Sequence, residues 1–367
     1  MSLQEYDALV VVEDYPRITG EKALMFVHTR NKYYKMNGFN VLVLNFRAKE
    51  SYDFEGIRVI SYIDFTKEFS SAKFNFLIAH AANIRHHLLF VKKYGCNFKH
   101  LVFFFHGHEV LPVNKVYPKP YKFDKQTKRY KKIIQAVYDT FKFKYWRKFI
   151  KKYKEKSSFI FVSHWMHDQF QRWVHADIDN HYYIIYNAID SSFEKNRYEF
   201  KPNYKYDCIT IRGNLDGAKY CMDIVNDIAN RNPEAAFLVI GRGKFFSYYS
   251  KAKNITWIDK WLSHDEIIEY LEQAKCALMP TKTDAQGLMM CEFASYGIPL
   301  ISSNIEVCRE VLEGFDNVEL ISNDTHDLDL KKFYCNINQK PKRNSKFFQE
   351  NTVARELELY KRLLSEK

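Results

Sequence analysis

The feature that most constrains this chain is an alternation repeated in both halves, in which short apolar runs rich in Val, Ile and Phe are separated by longer amphipathic segments. Short apolar runs with no inner polar alternation suit strands buried on both faces. Helix-length segments between them suit crossovers, so the pattern predicts parallel sheets covered by helices. In the first half the strand candidates are Ala8 to Val12, Val41 to Asn45, Phe76 to Ala79, Leu101 to His106, Phe159 to Ser163 and Tyr183 to Tyr186. Helices are expected over Glu21 to Met36, Asn83 to Tyr94 and Trp165 to Trp173. In the second half the strands are Tyr206 to Ile211, Ala236 to Ile240, Ile255 to Ile258, Cys276 to Met279 and Leu300 to Ser302. The helices there are Tyr220 to Asn230, His264 to Gln273 and Leu288 to Tyr296. Ser191 to Lys205, polar and broken by Pro202, reads as the connection. The expected organisation is two doubly wound α/β domains, residues 1–195 and 196–350, with a C-terminal helix in 351–367 that packs back on the first domain. A chain of 367 residues is long enough for two cores. Open parallel sheets bind ligands beyond the carboxyl ends of their strands, so a site is expected in a cleft between the domains.

Charge and cysteine usage bound the function. A formal net charge of +12 favours an anionic partner: a nucleotide, a lipid phosphate surface or nucleic acid. Nucleic acid is not the expected partner, because no RNA- or DNA-reading motif accompanies the charge. The seven cysteines are scattered with no CxxC pair, as in a reduced, intracellular protein. His86 and His87 lack partners at ligand spacing, and no metal site is predicted. No basic leader precedes the first apolar run, and no run approaches the roughly 20 apolar residues of a membrane span. A cytoplasmic protein is expected, peripheral at the inner face of the cell membrane. The segment Tyr117 to Lys156 is dense in Lys, Tyr, Phe and Trp, opposed only by Asp124, Asp139 and Glu155. It is read either as a basic amphipathic helix at an anionic membrane surface or as a solvated helix packing its aromatic stripe on the core.

Chemistry concentrates between Pro280 and Pro299, where strand, loop, helix, turn and strand follow in order. Gly287 permits close backbone approach, and the free amides of Leu288 and Met289 at the start of the helix suit a diphosphate. Glu292, one turn on, can accept two hydrogen bonds from a ribose diol, and Asp284 in the loop can accept from sugar hydroxyls.

This segment resembles the E-x7-E motif of retaining GT-B glycosyltransferases of family GT4, the glycosyl transferases group 1, in the form PSxxExxGLxxxEAxAxGxP. Asp284 stands for the first Glu and Glu292 for the second. Gly287, Leu288, Ala294, Gly297 and Pro299 coincide in order and spacing. Further segments are similar to the family's elements: Phe161-Val162-Ser163, Tyr186-Asn187-Ala188-Ile189-Asp190 for its PNGID turn, and Ile211 to Lys219 for its GRLxxxKG element. In that last register Asn214 takes the place of the Arg, Lys219 that of the Lys, and Arg212 falls two residues early.

The resemblance implies a GT-B fold of two Rossmann-like domains and a nucleotide diphosphate sugar of UDP or GDP type as donor, with no separate cofactor. It implies that Glu292 binds the ribose, Asp284 touches the donor sugar, and amides around Gly287 to Met289 meet sugar or phosphate. Arg212 and Lys219 would neutralise the diphosphate. Gly241, in Ile240-Gly241-Arg242-Gly243, and Trp261, beside the helix at His264, would line the nucleotide. His106 in the first domain would stand near the donor sugar, and Gly20 would belong to an acceptor-side loop. The implied reaction is sugar transfer with retention to a glycan or lipid-linked hydroxyl. Low Gly with high Lys, Tyr and Asn suggests an AT-rich bacterial genome and assembly of a capsule, lipopolysaccharide or teichoic-type glycan. Alternatives are a sugar-nucleotide 2-epimerase and a non-catalytic GT-B-like partner subunit.

Overall fold

The computed structural model describes residues 6–18, 23–124, 129–326 and 328–365. The chain divides into two compact units: Met1–Pro112, Val137–Ala188 and Gln349–Lys367 form one, and Val113–Ala136 with Ile189–Phe348 the other. Residues 113–136, inside the first domain expected from sequence, group with the second unit. Tyr121 shows why: its hydroxyl donates to Asp223 Oδ1 at 2.9 Å, and its ring packs edge-on against Phe245 and Tyr249.

The first unit holds one eight-stranded sheet: β1 (Ala8–Val12), β2 (Val41–Asn45), β3 (Tyr52–Phe54), β4 (Ile57–Ser61), β5 (Phe74–His80), β6 (Phe98–Phe105), β7 (Ser157–Phe161) and β8 (Tyr182–Ile184). Their order is β3-β4-β2-β1-β5-β6-β7-β8. All pairings are parallel except the β3–β4 hairpin, whose two-residue loop, Glu55-Gly56, has φ of 47° and 77°. That left-handed pair is the turn that matches the twist of its strands. Strands β1 and β2 are wholly buried, in keeping with apolar runs covered on both faces.

The C-terminal helix Val353–Ser365 belongs to this unit: Val353, Leu357 and Tyr360 join the core that contains Val10, Val43, Phe76 and Ile78. A fully buried ion pair ties it to the helix Met25–Met36. Arg30 Nε donates to Glu356 Oε1 at 3.0 Å, its other arm donates to Asn187 Oδ1 at 2.9 Å, and the Tyr34 hydroxyl donates to Glu356. Burial pushes the Glu356 carboxyl up, and the Arg30 charge pulls it back.

The second unit holds six parallel strands: β9 (Tyr206–Asn214), β10 (Phe237–Arg242), β11 (Ile255–Ile258), β12 (Ala274–Leu278), β13 (Leu300–Ser303) and β14 (Val318–Ile321), in the order β11-β10-β9-β12-β13-β14. The chain starts in the middle, builds outward to β11, then returns to the other side of β9. The carboxyl ends of β9 and β12 therefore flank the point where strand order reverses, the general ligand position of such sheets.

Candidate functional site

The site is built on the carboxyl ends of β9, β10 and β12. Beyond Leu278 the chain crosses to the helix Leu288–Tyr296, whose first turn has no side-chain cap because Gly287 stands at the N-cap. The early amides of this helix are left for an external acceptor. Gly297, at φ 95°, ends the helix as only glycine does without strain. Between them Met290 to Tyr296 are all buried, Glu292 included.

Asp284 is half-buried in the loop, with Oδ1 accepting from the amide of Ala285 at 2.9 Å. A Cβ added to Gly287 would lie 3.7 Å from Asp284 Oδ2, so the carboxylate stands beside the start of the helix.

Arg212, at the end of β9, is only 8% exposed. One guanidinium nitrogen donates to the Pro280 carbonyl at 2.7 Å, tying β9 to the loop after β12. Its Nε has no partner, and among the described residues no carboxylate lies within ion-pair distance of it. Burial pushes its pKa below the ordinary value. Lys219 sits in the following turn, Ala218–Tyr220, whose backbone is fastened to the same loop: the Lys219 carbonyl accepts from the Lys282 amide at 2.9 Å and from the Thr281 hydroxyl at 3.1 Å. Both cations converge on one ring, with Arg212 5.2 Å and Lys219 4.8 Å from the centroid of Tyr220. Lys282, by contrast, is neutralised by Asp223 at 2.8 Å.

On the β10 side Gly241 has φ 151°, and a Cβ there would come within 2.1 Å of the Arg212 carbonyl. The position admits only glycine, and β10 can then press against the end of β9. Trp261 donates its indole N–H to the Gly213 carbonyl at 3.0 Å and receives the Arg242 guanidinium over its ring at 4.3 Å, yet stays 56% exposed. It is a fixed aromatic plate open to solvent.

Glu292 is 3% exposed. Burial raises its carboxyl from 4.5 to about 7, against the pull of His264, whose Nε2 lies 3.7 Å from Oε1, and of a hydrogen bond from the Asp190 backbone. The other ring nitrogen of His264 lies 3.3 Å from Asp190 Oδ2. Burial opposes the ionisation of Asp190, but the hydrogen bond and charge of His264 hold it below the usual carboxylate range. An imidazole thus bridges two carboxylates.

Two expected site residues remain, His106 and Gly20. His106 follows β6 in the first unit, where Nε2 lies 3.2 Å from His80 Nδ1 and the ring packs on Phe26 at 4.7 Å. Burial, aided by the charge of Arg30, holds it well below the ordinary histidine value. Gly20 lies outside the described residues. Sequence reasoning gave no role to His264, Asp190 or Tyr220. Asp190 had been noted in the Asn-Ala-Ile-Asp turn, but its bond to His264 spans more than seventy residues and leaves no local signal. His86, discounted for lack of a partner, faces Glu13 Oε2 at 2.6 Å beyond β1, beside Asn83 Nδ2 at 2.7 Å. Among the described residues no three His, Cys, Asp or Glu side chains gather as metal ligands.

The fold as a whole is similar to that of sucrose-phosphate synthase from Thermosynechococcus elongatus, with TM-score 0.69 and 10% identity, covering 99% of this chain and 100% of that one. HepE from Anabaena, solved with UDP and glucose, matches with TM-score 0.66 and 11% identity over 99% and 100%. WaaG, a glycosyltransferase involved in lipopolysaccharide biosynthesis, matches with TM-score 0.57 and 13% identity over 90% and 89%. No curated protein matches the sequence. These likenesses, with the two doubly wound sheets, define the fold as that of the GT-B glycosyltransferases. Residues 209–330 match the family Glycosyl transferases group 1, and the stretch contains Arg212, Lys219, Asp284 and Glu292. The match covers the part of the second unit that carries the candidate site, and that segment is similar to the group 1 glycosyltransferases.

Proposed function

We propose that the chain transfers a sugar from a nucleotide diphosphate sugar, of UDP or GDP type, to a hydroxyl of a glycan or lipid-linked acceptor, with retention at the anomeric carbon. The observation that carries this reading is Arg212, a buried guanidinium with an unpartnered Nε and, among the described residues, no carboxylate within ion-pair distance, at the point where strand order reverses. A buried cation is costly unless an anion completes it, and a diphosphate is the anion that the neighbouring Lys219 and the uncapped amides of Leu288 and Met289 also fit. As the bond to the sugar breaks, negative charge grows on the departing diphosphate. Arg212 and Lys219, already in place, stabilise it without reorganising.

In this reading Glu292 accepts from the ribose diol, Asp284 accepts from a sugar hydroxyl, and Gly287 lets the donor approach the backbone. Gly241 and Trp261 line the base, which can stack on the open indole. The second unit is the donor side and the first the acceptor side, where His106 and Gly20 serve. HepE was solved with UDP and glucose, which supports a nucleotide of this kind. WaaG acts in lipopolysaccharide biosynthesis, and this supports a place in bacterial cell-surface glycan assembly, with the protein cytoplasmic and peripheral at the inner face of the membrane.

The test is incubation of the full chain with a panel of UDP- and GDP-sugars, following donor hydrolysis and transfer. Release of free nucleotide diphosphate with one donor is the expected result. An epimerised sugar nucleotide would point instead to the 2-epimerase reading, and tight binding with no turnover of any donor to a non-catalytic partner subunit.

A further inference from the structure

The helix Arg129–Tyr153 carries a surface that the donor site does not use. Its second half is anchored in the first unit: Trp146 is fully buried, packs edge-on to Phe103 at 5.7 Å and donates its indole N–H to the Glu109 carbonyl at 3.2 Å. Its first half is different. Tyr130, Ile133, Ile134, Val137, Tyr138 and Phe141 recur at the three- and four-residue spacing of one helix face, and all are exposed, Val137 to 66%. That spacing normally marks the face a helix buries, and an apolar stripe of this length left in water signals an interaction site.

The exposed charges of this helix, among the described side chains, are of one sign. Lys131 and Lys132 lie within it, and Lys144, Arg147, Lys148, Lys151 and Lys152 continue along the exposed side. The one acid of the helix, Asp139, is buried and paired with Lys142 at 2.9 Å, so no carboxylate is presented to solvent. The complementary partner must offer anions at its surface and an apolar layer beneath. A nucleic acid supplies the first but nothing to cover six apolar side chains. A bilayer of anionic phospholipid supplies both. Among the described residues no helix is long and apolar enough to cross a membrane, which leaves the interface plane for this one.

We propose that the face from Tyr130 to Phe141 is a membrane-docking surface, lying in the headgroup region of an anionic bilayer with its aliphatic residues toward the acyl chains and its lysines on lipid phosphates. The surface brings the enzyme to acceptors embedded in the same leaflet.

Sedimentation of the full chain with vesicles tests this independently of the donor site, so failure here leaves the transferase reading standing. Phosphatidylglycerol-containing vesicles should bind the chain at least about tenfold more tightly than phosphatidylcholine vesicles. The double variant Ile133→Asp, Val137→Asp should lose at least about tenfold of that binding, with its thermal unfolding and donor hydrolysis unchanged because both side chains are exposed. Retention of the wild-type chain in the supernatant with anionic vesicles would overturn the proposal. So would undiminished vesicle binding by the double variant. Concentration-dependent dimerisation without lipid that the double variant abolishes would assign the stripe to a second copy of the chain instead.

Discussion

Arg212 holds its charge in a setting that water would not choose, and the two sides of that arrangement can be separated. Removing an electrostatic stabiliser of a departing group costs on the order of 10²–10³ in kcat. Removing a buried charge that lacks a counterion relieves the folded state. Arg212→Met is therefore expected to lose about 10²-fold or more in kcat and to keep or raise its melting temperature, a pairing that scanning calorimetry and steady-state kinetics can check. A structural arginine would show the reverse. Glu292 yields a pH prediction. With its carboxyl raised from 4.5 to about 7, the unfolded chain releases that proton at lower pH than the folded one, so this group's contribution to stability falls as pH rises from about 4.5 to about 7. The ribose diol needs the ionised form, so donor affinity should rise through the same range. Glu292→Gln should flatten the pH profile of donor affinity between pH 5 and 8 and cost about 1.5–3 kcal/mol of binding. The titratable groups that face Glu292 are His264 and Asp190, and the Asp190 carboxyl is held below the usual carboxylate range. The residues of the Pro280–Pro299 segment were legible because their chemistry is packed into one strand-loop-helix turn. His264 was not, since its two carboxylates reach it from distant parts of the chain.

At the scale of elements, continuous apolar runs such as Val41–Asn45 declared themselves, because strands buried on both faces need no alternation. The hairpin Tyr52–Ser61 did not: each strand is short, and its Glu-Gly turn lacks the Asn or Asp that usually marks such a loop. Strand Val318–Ile321, short and at the sheet edge, escaped for the same reason. The helix of the basic segment packs aromatics on the core in its second half and exposes an apolar stripe in its first. The C-terminal helix is fixed by more than apolar packing. Glu356→Ala would strand Arg30 in the core without its partner, and a loss of about 3–5 kcal/mol is expected in denaturant unfolding followed by tryptophan fluorescence. Glu356→Gln, which keeps an acceptor for Tyr34 and Arg30, should lose less.

For the whole molecule, the sequence was informative about class and less so about how the chain is apportioned. Two alternating patterns separated by a polar stretch read as two domains in tandem. The return of Gln349–Lys367 to the first unit was anticipated from the amphipathic C-terminal segment. The assignment of 113–136 to the second unit was not, because its aromatic residues look locally like any other apolar cluster.

That C-terminal return has a consequence for biogenesis. Val353, Leu357 and Tyr360 fill a core whose other walls, from Ala8 to Ala188, leave the ribosome at least 165 residues earlier. During translation the first-made half must wait, with Arg30 lacking its carboxylate, while the whole of the second half is synthesised. The second unit, complete once Phe348 has emerged, is then expected to fold first. A chain truncated before Gln349 should show slow hydrogen exchange over β9 to β14 and fast exchange over β1 to β8. Slow exchange over β1 to β8 in such a chain would refute this order. The half made first would be the half finished last.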